Sequence, residues 1–259
     1  MASTLWQTAK DPSGQITEEF VVKRDSQRDV TGALWVPKKP AVDVLVAFGH
    51  GASGDRYQAP IPYMAHKLSQ RGYTSMAMDG PVHGLRQVGP GGREALGPEL
   101  KRQNVIDDMV TDWEIAIDIV QHKSALEPER FAYFGLSMGS IFGIPLLAQR
   151  SQNQQNVTVA VLGLLGTTGA VTQFADRLKG DANAINCPLL YLMQLEDELF
   201  PRDGYLALFD SLGSLDKRMH ANPGLHPEIP AEEINAAIDF LSKHLEGEVP
   251  RRIINPLAE

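Results

Sequence analysis

The chain has 259 residues, 43% hydrophobic and 22% charged, which suits one large globular α/β domain with a sizeable core. A net charge of −8, with no basic run longer than pairs such as Lys38-Lys39 or Arg251-Arg252, argues against nucleic acid and anionic membrane as partners. No apolar stretch reaches the roughly eighteen residues of a membrane span, residues 1–14 are too polar for a secretory signal, and one cysteine cannot form an internal disulfide, so no membrane insertion and a cytoplasmic setting are expected. That cysteine, Cys187, precedes Pro188 at the edge of a strand-like run and reads as a buried, inert thiol.

In chain order, residues 18–23 and 30–36 carry β-favouring side chains around a polar segment, which predicts an antiparallel lead-in hairpin. From residue 44 onward the grammar becomes strand, helix, strand. The run 44–48 is continuously apolar, 61–71 is a short amphipathic helix, and 74–78 is strand-like again. Residues 80–103, rich in glycine and proline, form the longest unassigned stretch, leaving the strand edge where open α/β sheets place their ligands. A long helix follows at 104–121, with Ile106, Met109, Val110, Trp113, Ile117 and Val120 at three- and four-residue spacing. Then come a strand at 131–134, a helix from 137 towards 149 that Pro145 should kink, and a strand at 157–164. A buried strand at 189–194, a helix at 202–212, a short strand at 217–220 and a helix at 231–245 complete the pattern. Uninterrupted apolar strands between amphipathic helices predict a mostly parallel sheet covered on both faces. No linker divides the chain, so residues 1–259 are expected to form a single domain with its core at about 18–245.

The most informative segment is Gly135-Leu136-Ser137-Met138-Gly139, a serine between near glycines at a strand-to-helix junction. Such a turn exposes the central side chain, and the glycines let backbones pass without Cβ clashes. A serine hydroxyl is a poor nucleophile at neutral pH and needs a histidine to take its proton and a carboxylate to orient that histidine. Asp197 follows the strand at 189–194, and His226 follows the short strand at 217–220 on a loop opened by Pro223-Gly224. Glu196 and Glu198 flank Asp197 and should point away from the site by alternation, while Asp203 and Asp210 read as helix-surface charges. His220 competes with His226 for the role of base; His66, His122 and His244 lie in or near helices and read as surface or packing residues. Lacking a His-x-His, a cysteine pair or a His-Glu-x-x-His motif, the sequence supports neither metal nor cofactor, and no Gly-x-Gly-x-x-Gly follows a strand.

With His50-Gly51-Ala52-Ser53-Gly54 after an early strand, the Gly135 to Gly139 segment, Asp197 and His226 all in register, residues 18–245 resemble the α/β-hydrolase family. The likeness is to its small serine esterases and dienelactone-hydrolase-like members with a minimal lid. It implies an α/β-hydrolase fold with an eight-stranded, mostly parallel sheet and helices on both faces. It also implies Ser137 as nucleophile, His226 as base and then acid, and Asp197 as the orienting carboxylate. Dienelactone hydrolases carry a cysteine nucleophile; the serine here favours ordinary esters. An oxyanion needs two convergent N–H donors, for which Met138 and, by the resemblance, Ala52 rather than Gly51 are expected. His50 is expected to brace that loop, and His83 to be structural or to line the pocket.

Lidded relatives insert a helical cap between the strands ending near 164 and starting near 189; here residues 165–187 leave room for only a short one. His50, Gly51, His83, Thr167, Phe174, Leu199 and Phe200 are the expected pocket residues, suited to small or medium acyl and alkoxy groups. The expected activity is hydrolysis of a small-molecule ester through an acyl-serine intermediate. Lactone, C–C bond or small-peptide hydrolysis by the same triad, and non-catalytic binding of a small molecule, are the alternatives. The acidic net charge argues mildly against polyanionic substrates. The tail at 248–259 either packs on its own domain or reaches a second copy, with a homodimer favoured.

Overall fold

The computed structural model describes residues 3–248 apart from 26, 41, 42 and 128. The tail on which the homodimer expectation rests lies, beyond residue 248, outside the described residues. Three antiparallel strands lead in: β1 (Ser3–Lys10), β2 (Ile16–Lys23) and β3 (Val30–Trp35). Then come β4 (Val44–Gly49), α1 (Ile61–Gln70), β5 (Thr74–Met78), α2 (Gly92–Leu100) and α3 (Val105–Ser124). The second half runs β6 (Arg130–Leu136), α4 (Met138–Gln152), β7 (Val159–Gly163), α5 (Ala175–Ala184), β8 (Leu189–Gln194), α6 (Arg202–Ser211), β9 (Lys217–Asn222) and α7 (Ala231–Leu245).

Among the described residues the sheet has nine strands in the order β1-β2-β3-β5-β4-β6-β7-β8-β9, parallel from β5 to β9. The strand beyond the eight expected is β1. Its sequence, Ser-Thr-Leu-Trp-Gln-Thr-Ala-Lys, carries little apolar signal because an edge strand is half solvated: Leu5 is exposed, and Trp6 packs on Phe20 across the ladder with ring centroids 5.5 Å apart. Asp11 closes the β1–β2 turn, its Oδ1 accepting from the N–H groups of Ser13 (2.9 Å) and Gln15 (3.0 Å).

Strand alternation sorts the core into two layers. Leu45, Ala47, Phe131, Tyr133, Leu189 and Tyr191 face α3, α4, α5 and α6, whereas Val46, Phe48, Ala132, Phe134, Leu190 and Leu192 face α1 and α7. The chain therefore leaves β4 across one face through α1 and reaches β6 across the other through α3. Beyond the carboxyl ends of β4 and β6 this reversal opens a crevice, and the segments leaving those strands carry His50 to Ala52 and Ser137.

The segment 80–103, read from sequence as a loop, contains a short 3-10 turn at Gly84–Arg86 and the helix α2. Its glycines and Pro98 mask Leu96 and Leu100, which are buried one turn apart. The short region expected to cap the site holds a 3-10 segment, Gly169–Phe174, and α5, which packs on α4 and α6.

Candidate active site

Ser137 sits between β6 and α4 at φ 57° and ψ −117°, backbone angles that cost a non-glycine residue on the order of 1–3 kcal/mol. Local hydrogen bonds over-determine the turn. Ser137 N–H donates to Gly163 O (2.9 Å), and its carbonyl accepts from the N–H groups of Ser140 (2.8 Å) and Ile141 (3.0 Å). The Ser140 hydroxyl accepts from Gly163 N–H (2.9 Å) and lies 2.7 Å from Gly135 O and 2.8 Å from Gly163 O, tying β6, β7 and α4 together. Gly139 passes so close to β4 that an added Cβ would collide with the Gly49 carbonyl. Here lies the physical reason for glycine two residues after the serine.

The loops after β8 and β9 bring the other two residues to Ser137. Ser137 Oγ–H donates to His226 Nε2 at 2.9 Å, and His226 Nδ1–H donates to Asp197 Oδ2 at 2.7 Å. The Asp197 and His226 side chains are buried. Asp197 Oδ1 accepts from the N–H groups of Leu199 (2.8 Å) and Phe200 (3.0 Å), and Oδ2 also accepts from the Tyr205 hydroxyl. Burial alone would raise the Asp197 carboxyl, but the hydrogen bonds from His226, Tyr205 and Leu199 outweigh it and hold the group below its ordinary range. Tyr205 is pushed upward by burial and by the neighbouring carboxylate, so it stays a hydrogen-bond donor.

The histidine loop is held from below. Buried Gln194 donates through Nε2 to the carbonyls of Glu228 (2.7 Å), Pro223 (3.3 Å) and Leu225 (3.4 Å). Glu198 accepts from His226 N–H at 2.9 Å and Glu196 from Gly224 N–H, so the glutamates flanking Asp197 clasp the backbone that presents the base. His220, the rival base, pairs instead with Glu233. Of the remaining histidines, His66 bonds Gln15 (2.8 Å), His122 lies 3.5 Å from Asp118, and His244 bonds Phe240 O (2.9 Å).

Across from His226, the loop after β4 supplies backbone groups. Gly51 N–H donates to Gln58 Oε1 at 2.7 Å, which occupies it and leaves Ala52 N–H as the stronger candidate for an oxyanion. His50 Nδ1–H donates to Gly51 O at 2.7 Å while Nε2 accepts from Gly80 N–H at 2.8 Å. The Gly51 carbonyl and the Ala52 N–H belong to one planar trans peptide, so holding one aims the other. His83 Nε2–H donates to Ala52 O at 3.0 Å, with its ring edge-on to His50. Burial pushes both imidazoles down, His83 to about 4, and keeps them neutral.

Two cavities meet at Ser137 and His226. The first, of about 280 Å³, is lined by His50, Gly51, Gln58, Leu164, Ile229 and Ile234 among others. A second, of about 320 Å³, is walled by Leu96, Leu100, Ile141, Val171, Leu199 and Phe200. Of the expected pocket residues, His83, Thr167 and Phe174 line neither cavity. His83 stands behind the Ala52 peptide, Thr167 is buried with its N–H on Gly204 O (3.1 Å), and Phe174 packs on the core. The stretch 80–103, expected from sequence at the ligand edge, does wall the second cavity, through Arg93, Leu96, Leu100 and Lys101 on or next to α2; the four-residue spacing of the two leucines was the signal that could have singled them out.

Among the described residues no group of three or more histidine, cysteine or acidic side chains is arranged to hold a metal, and no helix is long and apolar enough to cross a membrane.

A serine, histidine and aspartate joined by hydrogen bonds at the carboxyl edge of a mostly parallel, two-faced sheet define the α/β-hydrolase class of site and fold. The solved structures narrow this. A PEG-bound complex of a cold-adapted esterase from an Arctic intertidal metagenomic library is 30% identical with a TM-score of 0.79, the match covering 93% of this chain and 99% of that one. A zinc-bound structure of a cold-adapted esterase from such a library is 31% identical with a TM-score of 0.75 over the same shares. Acetyl xylan esterase 1 from Thermoanaerobacterium sp. JW/SL YS485 shares the fold at 15% identity, with a TM-score of 0.66 over 94% of this chain and 88% of that one. No family model and no curated protein matches the sequence. The chain belongs to the α/β-hydrolase superfamily, among its esterases.

Proposed function

We propose that this protein hydrolyses carboxylic esters of small to medium size through an acyl-Ser137 intermediate. The observation that carries the reading is the unbroken chain from Ser137 Oγ through His226 to Asp197, opening on two cavities. With Nδ1–H held by Asp197, His226 Nε2 keeps its lone pair for the serine proton. As that proton moves, Oγ attacks the ester carbonyl, and the oxyanion is met by the N–H groups of Met138 and Ala52. Protonated His226 then gives its proton to the departing alkoxide, and the alcohol leaves. A water repeats the sequence on the acyl-enzyme: His226 takes its proton, the hydroxyl adds to the carbonyl, and the Ser137 oxygen leaves with that proton, releasing the acid. The two cavities suit the two halves of an ester. The buried lone cysteine fits a cytoplasmic setting.

A fluorophosphonate probe is expected to label Ser137, and Ser137→Ala to lower hydrolysis of short p-nitrophenyl esters by at least about 10⁴-fold. Labelling at another residue, or undiminished turnover in the variant, would overturn the assignment.

A further inference from the structure

The charges that line the two cavities run against the net charge of the molecule. The sequence carries 32 acidic and 24 basic residues, yet no aspartate or glutamate lines either cavity at Ser137. Their charged lining residues are two cations: Arg93, which borders both cavities, and Lys101, which borders the second. Neither joins an ion pair or donates a side-chain hydrogen bond among the described residues, whereas the next basic residue, Arg102, is engaged by Glu99 and Asp108. Glu99, the buried acid of α2, is itself occupied by Arg28 and Arg102. Elsewhere in this acidic protein arginines such as Arg24, Arg56, Arg86, Arg150 and Arg177 are matched to carboxylates. Two exposed cations outside the ion pairs of the described residues thus border the cavities, while Glu94, beside Arg93 on α2, lines neither.

The second cavity combines this rim with an apolar floor of Leu96, Ile141, Val171 and Phe200. Methylenes suit the floor, and an anion suits the rim. We propose that the second cavity is a subsite for a carboxylate carried on one half of the ester, with Arg93 and Lys101 as the specificity-determining residues. The preferred substrates are short aliphatic esters ending in a carboxylate, such as monoesters of dicarboxylic acids. The inference rests on Ser137 being the nucleophile.

The test compares kcat/KM for matched pairs at low salt. Monomethyl adipate against methyl hexanoate places the charge on the acyl half; O-acetyl-hydroxyhexanoate against hexyl acetate places it on the alcohol half. The wild-type protein is expected to favour the anionic member of at least one pair about tenfold or more, mainly through KM, with the preference shrinking as salt is added. Arg93→Gln with Lys101→Gln should erase most of that ratio, Arg93→Lys should retain part of it, and Arg93→Glu should reverse it. A wild-type ratio near one in both pairs, or a ratio unmoved in the double variant, overturns the subsite. Hydrolysis of p-nitrophenyl acetate and fluorophosphonate labelling of Ser137 run alongside. If both persist while the ratios stay near one, only the subsite falls; if both are absent, the nucleophile assignment falls and takes the subsite with it.

Discussion

Replacing Asp197 by asparagine exchanges a carboxylate for an isosteric amide, and the surrounding donors dictate which way that amide turns. Leu199 and Phe200 aim two backbone N–H groups at Oδ1, 2.8 and 3.0 Å away, and these can only donate, whereas the Tyr205 hydroxyl and His226 Nδ1 facing Oδ2 can turn from donor to acceptor. The asparagine carbonyl must take that position, which places its NH₂ where Oδ2 faced His226 Nδ1 at 2.7 Å. Nδ1 must then accept, so the ring carries its proton on Nε2, and Nε2 can no longer take the proton of Ser137 Oγ. A wrong tautomer of this kind lowers kcat by about 10⁴, which at 1.36 kcal/mol per decade is roughly 5.5 kcal/mol of barrier. Because the shape is conserved, the variant should remain folded by circular dichroism. The assay is the kcat for p-nitrophenyl acetate at neutral pH, with the rate of fluorophosphonate labelling as a second readout. Tyr205→Phe, which removes one donor but keeps the carboxylate, should lose far less. An Asp197→Asn protein within tenfold of wild type on both readouts would refute the tautomer argument.

Two further outcomes follow from packing and charge. Gly139→Ala should destabilise the protein by about 1–3 kcal/mol in urea titrations because its methyl meets the Gly49 carbonyl, while Gly180→Ala, in open space within α5, should stabilise it by about 0.5–1 kcal/mol. Equal effects at the two positions would contradict the close backbone approach at the serine turn. His83 binds its proton near 6.5 when unfolded but only at about 4 when folded, so between these values the unfolded chain holds more protons. Its contribution is intact above about pH 6.5 and is lost as the pH falls towards 4. Urea midpoints at neutral pH and at about pH 5.5 should therefore drop more for wild type than for His83→Gln; the same drop in both would count against the buried neutral imidazole.

Much of this architecture was legible because buried parallel strands are written as continuous apolar runs and surface helices as amphipathic ones: β5 and β8 fall where the first signal places them, and α7 where the second does. The residues that meet at the site were legible because each follows a strand, and strand ends on one sheet edge converge whatever lies between. What escaped was of two kinds. Edge strand β1 buries one face only, and its turn chemistry at Asp11 was the better clue. Helix α2 is short, with glycine at Gly92 and Gly97 and proline at Pro98, so its propensity reads as loop although burial of Leu96 and Leu100 accompanies the helix. Chain position puts Thr167 and Phe174 near the pocket and leaves His83 either structural or pocket-lining; His83 takes the structural place. Position near a strand end does not say whether a side chain turns towards the opening or, like His83, back onto the peptide that frames it.

The second cavity takes Arg93, Leu96, Gly97 and Leu100 from one nine-residue helix, α2, spliced between β5 and α3. Ser137, Asp197 and His226 stand instead beyond β6, β8 and β9. The proposed relay and one wall of the second cavity thus lie on separate stretches of the chain. Exchange of α2 alone, sparing the Gly80 and His83 that hold the loop after β4, is expected to alter which ester fits while the Ser137, His226 and Asp197 arrangement stays as it was.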